Sequence, residues 1–440
     1  MNNTNKTNQK ATLPFWSIWN LSFGFFGVQI AYSLQNANIS RIFATLGADP
    51  HSLSYFWILP PLMGLIVQPI VGTLSDKTWT RMGRRIPYLL VGAIVSVIVL
   101  CMLPNAGSFG LAVGSAMLFG LVSLMLLDTS LNMAMQPFKM LVGDTVNEKQ
   151  KSFAFSVQSF LCNAGGVVGF LFPFIFTWIG ISNIAAEGVV PDSVIYSFYI
   201  GSAILILCVI YTVVKVKEKP PHEYAQFHGI EEKPEKKEKS DFITLLRKAP
   251  SVFWTVGLVQ FFCWAAFMYM WTYTNGAIAD NVWGTTDTNS ADYQEAGNWV
   301  GVLFAVQAIG AVLWAMAIPL FKSHKTAYVV SLVIGAAGFI STAFVHDQYA
   351  LFVSYALIGC AWAAMLALPF TILTNNLSGK NMGAYLGLFN GTICIPQIVA
   401  AALGGSVLYL VGGSQVNMLV MAGVFLVLGA VAVFGVRDKS

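Results

Sequence analysis

The hydrophobic positions of this chain gather into runs of about twenty residues separated by short polar breaks. About twenty apolar residues are what a helix needs to cross roughly 30 Å of hydrocarbon. The runs predict spans near 15–36, 53–74, 86–104, 110–136, 153–178 and 194–215, then 252–274, 298–320, 327–345, 349–374, 382–410 and 416–435. The 382–410 run is long enough for a helix plus a bend. The pattern is six and six: an all-α integral membrane protein of twelve transmembrane helices in two six-helix bundles, residues 1–215 and 251–440.

Between the bundles lies a different kind of chain. Residues 216–250 fall in the stretch Lys215 to Pro250, rich in Lys, Glu and Pro, with no aliphatic periodicity until "FITLL". Such a composition cannot bury a core and reads as a solvated linker. Twelve spans also sort the loops by side. All Lys and Arg except Arg41, 23 of 24, then fall on the side of the two termini, while the opposite loops carry Glu187, Asp192, Asp280, Asp287, Asp292, Glu295 and Asp347. Basic loops stay cytoplasmic, so both termini are expected inside a cell membrane. One miscounted helix would scramble that asymmetry.

Composition sharpens the picture. The chain is 56% hydrophobic and 10% charged, with mean hydropathy +0.67, whereas soluble domains carry about 25% charged residues. An ordinary secretory signal peptide is not evident after the polar head 1–14. The six cysteines are scattered through apolar runs, which suits buried thiols rather than disulfides or a metal site. The net charge of +4 makes no case for nucleic acid, because the basic residues are placed for topology.

The loop after the second span reads "GTLSDKTWTRMGRRIPYLL". Gly72, Asp76, Gly83, Arg84 and Arg85 match the loop signature of the major facilitator superfamily, in a form with extra residues between Asp and Arg. Gly72 would let the helix end approach a neighbour, and Asp76 could pair with Arg84 or Arg85 or sit at a helix N-terminus. A charge cluster of this kind can latch one of two arrangements of the bundles. "GVQIAYSLQNANISRIFATLGA", "LLDTSLNMAMQPFKMLVGD" and "MGAYLGLFNGTICIPQIVAA" narrow the likeness. The chain resembles the plant sucrose/proton symporters and the related glycoside–pentoside–hexuronide cation symporters. The likeness is carried by most of the N-terminal half and the eleventh span. It implies a twelve-helix facilitator fold, a sugar substrate and cation coupling.

One carboxylate stands out. Asp128 is the only acidic residue read as lying well inside a span, and no Lys, Arg or His is read there. A charged Asp near the bilayer centre costs about 2.5–3.5 kcal/mol on insertion scales and is usually functional. Removal from water favours the neutral acid, so such a group can carry a proton and release it towards the cytoplasm. In the sucrose-symporter-like pattern the fourth-span Asp couples to the proton, and Asp128 precedes Pro137 by nine residues as that pattern requires. Sodium would need several hard oxygen ligands; the sodium-using relatives that the resemblance brings in carry further acids in the second span, and this one has none. The coupling ion is therefore expected to be H⁺, with no other cofactor and no metal.

A sugar needs hydrogen-bonding groups and aromatic faces in a cavity between the bundles. Gln29, Tyr32 and Asn36 follow i, i+3, i+7, and Asp128, Asn132 and Gln136 follow i, i+4, i+8, so each set is expected to share a helix face. Gln158 and Asn163 on the fifth span, Trp264 on the seventh, Trp362 on the tenth and Asn390 on the eleventh complete the candidate contacts. Gln29, Asn132 and Gln158 serve equally well as bonds between helices. Trp271 and Tyr273 read more readily as an aromatic belt at the membrane interface.

Rival functions find less support. An intramembrane enzyme would need a nucleophile–base pair, a carboxylate pair or a metal cluster, and the spans offer one acid and no His. A drug exporter of the same fold would favour a broad apolar cavity, whereas the first and fourth spans carry amides. Sodium-coupled sugar symport and a sugar sensor complete the alternatives. The expected partners are a small-molecule sugar and the lipid bilayer, with the chain acting as a monomer.

Overall fold

A computed structural model describes residues 12–218, 246–376, 385 and 388–436. All named elements within these residues are helical. Helix α1 runs Phe15–Thr45, α2 Pro50–Phe56, α3 Leu59–Lys77, α4 Ile86–Met102, α5 Val113–Thr145, α6 Glu148–Trp178 and α7 Asp192–Lys215. Helix α8 runs Ser251–Trp283, α9 Ala291–Ala317, α10 His324–Ser341, α11 Leu351–Asn376, α12 Gly391–Leu410 and α13 Gln415–Val433. Helices α2 and α3 together make one crossing, broken at Trp57 and Ile58 because Pro60 and Pro61 open α3. A proline fits a helix's first turn but disfavours helical backbone just before it.

Among the described residues, eleven helical segments are long and apolar enough to cross a membrane. Helix α1 is the twelfth long segment, at 31 residues, and its apolar content is diluted by Asn20, Gln29, Gln35, Asn36 and Asn38. Those amides sit where the helix meets protein rather than lipid: Gln35 and Asn38 are fully buried. The expected span positions therefore hold, and the ends do not. Helices α5 and α8 each run to 33 residues, about 50 Å at 1.5 Å per residue, well beyond the hydrocarbon. Helix α5 continues past Pro137 to Thr145. Helix α1 continues to Thr45, so Arg41 lies in its final turns and not in a loop. That corrects the reading that no cation lies in a spanning helix. Of the expected 382–410 span, residues 382–384, 386 and 387 lie outside the described residues, and a turn at Asn390 precedes α12.

Helices α1 to α7 pack chiefly on one another, and so do α8 to α13. Large apolar side chains such as Leu118, Leu207, Val353 and Val431 point outward, which suits lipid rather than water. The two halves meet along α6 against α9, α2 and α3 against α12, and α1 against α8 and α9. Backbones touch there. A Cβ on Gly301 of α9 would collide with the carbonyl of Phe170 on α6, and one on Gly405 of α12 with the carbonyl of His51 on α2. Only glycine permits such an approach.

The hydrogen bonds joining the halves gather at the end of the molecule that carries the acidic loops. His51 Nδ1 lies 3.2 Å from the Gly405 carbonyl, Ser40 Oγ donates to the Trp271 carbonyl at 3.2 Å, and Asn298 Nδ2 donates to Thr177 Oγ1 at 2.7 Å. Arg41 is the centre of this closure. Its guanidinium is fully buried and donates from Nε to Gln294 (2.7 Å), from Nη1 to Asn298 (2.8 Å) and from Nη2 to Asn183 (2.7 Å).

Candidate functional site

Helix α5 carries Asp128 into the protein, with no exposed surface. Its Oδ1 accepts a hydrogen bond from Gln35 Nε2 on α1 at 2.7 Å. Its Oδ2 is buried without a hydrogen-bond partner. Among the described residues no cation pairs with this carboxyl. One turn further along α5, Asn132 donates to the Asp128 carbonyl (2.8 Å) and accepts from Gln68 of α3 (2.7 Å). The acid thus stands between α1 and α5.

A cavity of about 180 Å³ lies between the halves. Gln29, Ser33 and Asn36 of α1 form one wall, and Cys162, Asn163 and Phe170 of α6 the next. The opposite half supplies Trp271 from α8, Gln307 from α9 and Trp362 from α11. Its polar groups are neutral. Trp362 lies at the hub of an aromatic cluster, with ring centroids 4.9 Å from Phe267, 5.7 Å from Trp264 and 5.9 Å from Trp271. Trp271 in turn stacks on Trp57 at 6.2 Å, and Trp57 Nε1 donates to Ser40 Oγ at 2.9 Å. The roof of the cavity is therefore continuous with the closure around Arg41.

Of the sequence candidates, Gln29, Asn36, Asn163 and Trp362 come together in this cavity. Tyr32 is half-buried outside the cavity lining, and Trp264 packs on Trp362 with its buried Nε1 unpartnered. Asn390 precedes the first residue of α12, its Nδ2 4.0 Å from Cys394 Sγ. Three amides make helix contacts: Asn132 joins α5 to α3, Gln136 faces Gly72, and Gln158 donates to the Phe138 carbonyl at 3.3 Å. Trp271 and Tyr273 are not an interface belt; Trp271 lines the cavity and Tyr273 is fully buried.

Gln307, Ser33 and Gln35 were not singled out in the sequence, and Arg41 only as the one cation off the basic side. Gln307 had a usable signal, since it interrupts "VGVLFAVQAIGAV" much as Asp128 interrupts its own run.

The loop signature forms a compact ionic cluster at the basic end. Asp76 pairs with Arg85 at 2.6 Å, while Asp144 of α5 takes Arg84 at 2.6 Å and Arg85 at 3.2 Å. Glu218 accepts the backbone N–H groups of Arg84, Arg85 and Ile86, closing the start of α4. A carboxylate suits that position because the helix dipole and free N–H groups both favour an anion. Gly83 adopts φ +117° and a Cβ there would strike Glu218, so glycine is required. Gly72 is not a close contact: a Cβ there would lie 3.9 Å from the nearest side chain.

The comparisons with known proteins follow the same lines. The sequence profile described as MFS/sugar transport protein matches residues 42–412. The chain is 24% identical to the sucrose transport protein SUC4 of Arabidopsis thaliana over 428 residues, covering 88% of this chain and 83% of that one. It is 27% identical to the general alpha-glucoside permease of Schizosaccharomyces pombe (strain 972 / ATCC 24843) over 276 residues, 58% of this chain and 47% of the permease. The solved nucleoside transporter NupG superposes with TM-score 0.70 at 15% identity, covering 96% of this chain and 98% of that one.

Among the described residues, long apolar helices in two halves enclose a cavity whose polar lining is neutral, the arrangement of a membrane transporter. The chain belongs to the MFS/sugar transport protein family.

Proposed function

We propose that this protein is a proton-coupled symporter of a glycoside, a disaccharide such as sucrose or maltose, with Asp128 as the proton carrier. The observation that carries the reading is the Asp128 carboxyl itself. It is fully buried, held by the neutral amide of Gln35 and left with one oxygen free. A carboxylate removed from water without a counter-charge is driven towards its protonated form, and opening to an aqueous side lets the proton leave. The positive-inside rule makes the basic end, with both termini, cytoplasmic. On that orientation the structure is closed towards the outside by the Arg41 bonds.

The halves, residues 1–215 and 251–440 joined by the 216–250 linker, would rock about the central cavity. The ionic cluster of Asp76, Arg84, Arg85, Asp144 and Glu218 would steady the cytoplasmic side. The amides of Gln29, Asn36, Asn163 and Gln307 match sugar hydroxyls, and the indoles of Trp271 and Trp362 match the C–H faces of a pyranose. One proton moving down 100 mV supplies about 2.3 kcal/mol, enough for roughly fiftyfold accumulation of a neutral solute. The names of the plant and yeast relatives support a glycoside substrate.

The test is uptake of labelled disaccharides into proteoliposomes under an inward proton gradient. Gradient-driven uptake of at least one sugar supports the reading. Uptake that requires sodium and ignores pH overturns the coupling ion, and dye efflux without sugar movement favours the exporter.

A further inference from the structure

Helix α6 turns three closely spaced glycines towards α1, Gly165, Gly166 and Gly169, and they differ in what they permit. A Cβ on Gly165 would collide with the carbonyl of Phe26, and one on Gly169 with the carbonyl of Ile30. Those two let the helices touch. Gly166, between them, lines the cavity. A Cβ built there meets nothing closer than Ser33 Oγ at 3.4 Å and Gln29 Cγ at 3.9 Å. Packing therefore does not forbid a side chain at Gly166. Its absence leaves a space the size of a methyl group beside Ser33.

Ser33 is the polar counterpart of that space. It is 1% exposed, lines the same cavity, and its Oγ has no hydrogen-bond partner. A serine within a helix commonly returns its hydroxyl to the carbonyl one turn back, as Ser96, Ser197 and Ser331 do. Ser33 does not. Among the described residues it is the only buried, unpartnered hydroxyl in the cavity lining. Beside it, Gln29 has its Oε1 occupied by Cys162 Sγ at 3.2 Å, which leaves the Gln29 N–H groups for another acceptor. Hydroxyl oxygens hydrogen-bond to each other at about 2.7–2.8 Å. A ligand hydroxyl that reaches Ser33 Oγ past Gly166 therefore stands in the space that a methyl on Gly166 would fill.

We propose that Ser33 and Gly166 form a notch that takes one free hydroxyl of the sugar and so sets which glycosides the cavity accepts, an inference that rests on the cavity being the glycoside site. Ser33 supplies the hydrogen bond and Gly166 the room. Recognition of this type is selective, because an analogue lacking the hydroxyl leaves the buried partner unpaired. An O-methyl group at the same position is too large for the notch. The substrates are thus glycosides that leave this one hydroxyl unsubstituted.

The test is binding of sucrose, maltose and their single-deoxy and single-O-methyl analogues to the full chain in lipid vesicles, for wild type, Ser33→Ala and Gly166→Ala. In wild type, removing the hydroxyl at one position is expected to weaken binding about twofold to tenfold, the loss of one neutral hydrogen bond. O-methylation at that position should abolish binding. In both variants the parent sugar should bind more weakly, and its advantage over that deoxy analogue should disappear while the deficits at other positions remain. A general loss of packing would weaken every analogue alike and would not erase one difference. Ser33→Ala removes a single oxygen and carries the test if Gly166→Ala folds poorly. If wild type binds the sugars and neither variant erases a single-position difference, the notch is overturned and the glycoside reading stands. If wild type binds neither sucrose nor maltose, the disaccharide reading falls and the notch with it.

Discussion

Arg41 Nη1 donates to Asn298 Oδ1 at 2.8 Å, so a fully buried cation of the first helix is tied to the opposite half by a neutral amide. All three of its acceptors are amide oxygens, from Asn183, Gln294 and Asn298. Burying a guanidinium without a carboxylate is costly, and hydrogen bonds of good geometry offset part of that cost. Such a closure can hold the acidic end shut and still release it.

Arg41→Gln is expected to weaken this closure, because it strands acceptors worth about 1–3 kcal/mol each when left buried and unpaired. Spin labels at the exposed positions Ile184 and Asp287 would report the distance between halves at that end. The distribution should move to longer distances in the variant. An unchanged distribution would mean that the glycine and aromatic contacts alone hold the end closed.

The cavity predicts a split among the amides. If the cavity takes the proposed sugar, Gln307→Ala should remove one neutral hydrogen bond, worth about 0.5–1.5 kcal/mol, and raise the KM for sugar about twofold to tenfold. Trp362→Ala should do at least as much, since it also dismantles the packing of Trp264, Phe267 and Trp271. Gln136→Ala, which faces Gly72, should leave KM unchanged. Initial uptake rates at varied sugar concentration distinguish these outcomes.

At the basic end, Gly83→Ala must place a side chain at φ +117° against Glu218. Backbone strain of this type costs about 1–3 kcal/mol, so the melting temperature should fall. Asp144→Asn breaks two ion pairs at once and should slow turnover more than it changes sugar affinity. A thermal melt checks the first variant, and a comparison of exchange rate with binding checks the second.

Much of this organisation was legible in the sequence, and the reasons differ by residue. The spans were readable because a bilayer imposes a length on apolar runs. Their ends were not, since α1 and α8 extend to Thr45 and Trp283 where protein contacts, not hydrocarbon, stabilise them. Asp128 stood out as a charge among apolar neighbours. Gln35 did not, lying in "LQNANIS" where polar residues are common. Asn132 and Gln307 look alike in sequence, yet one bonds α3 and the other lines the cavity, because helix rotation is decided by tertiary packing. Glu218 was hidden by its Lys- and Glu-rich surroundings and by partners 132–134 residues away.

The central claim is that a single buried carboxyl carries the coupling proton, and the Asp128→Asn variant tests it most directly. Vesicles holding either protein are given a labelled disaccharide panel under an inward proton gradient. Wild type should concentrate a sugar above its external level, while Asp128→Asn should only equilibrate it and retain exchange. Undiminished concentration by Asp128→Asn would contradict the account.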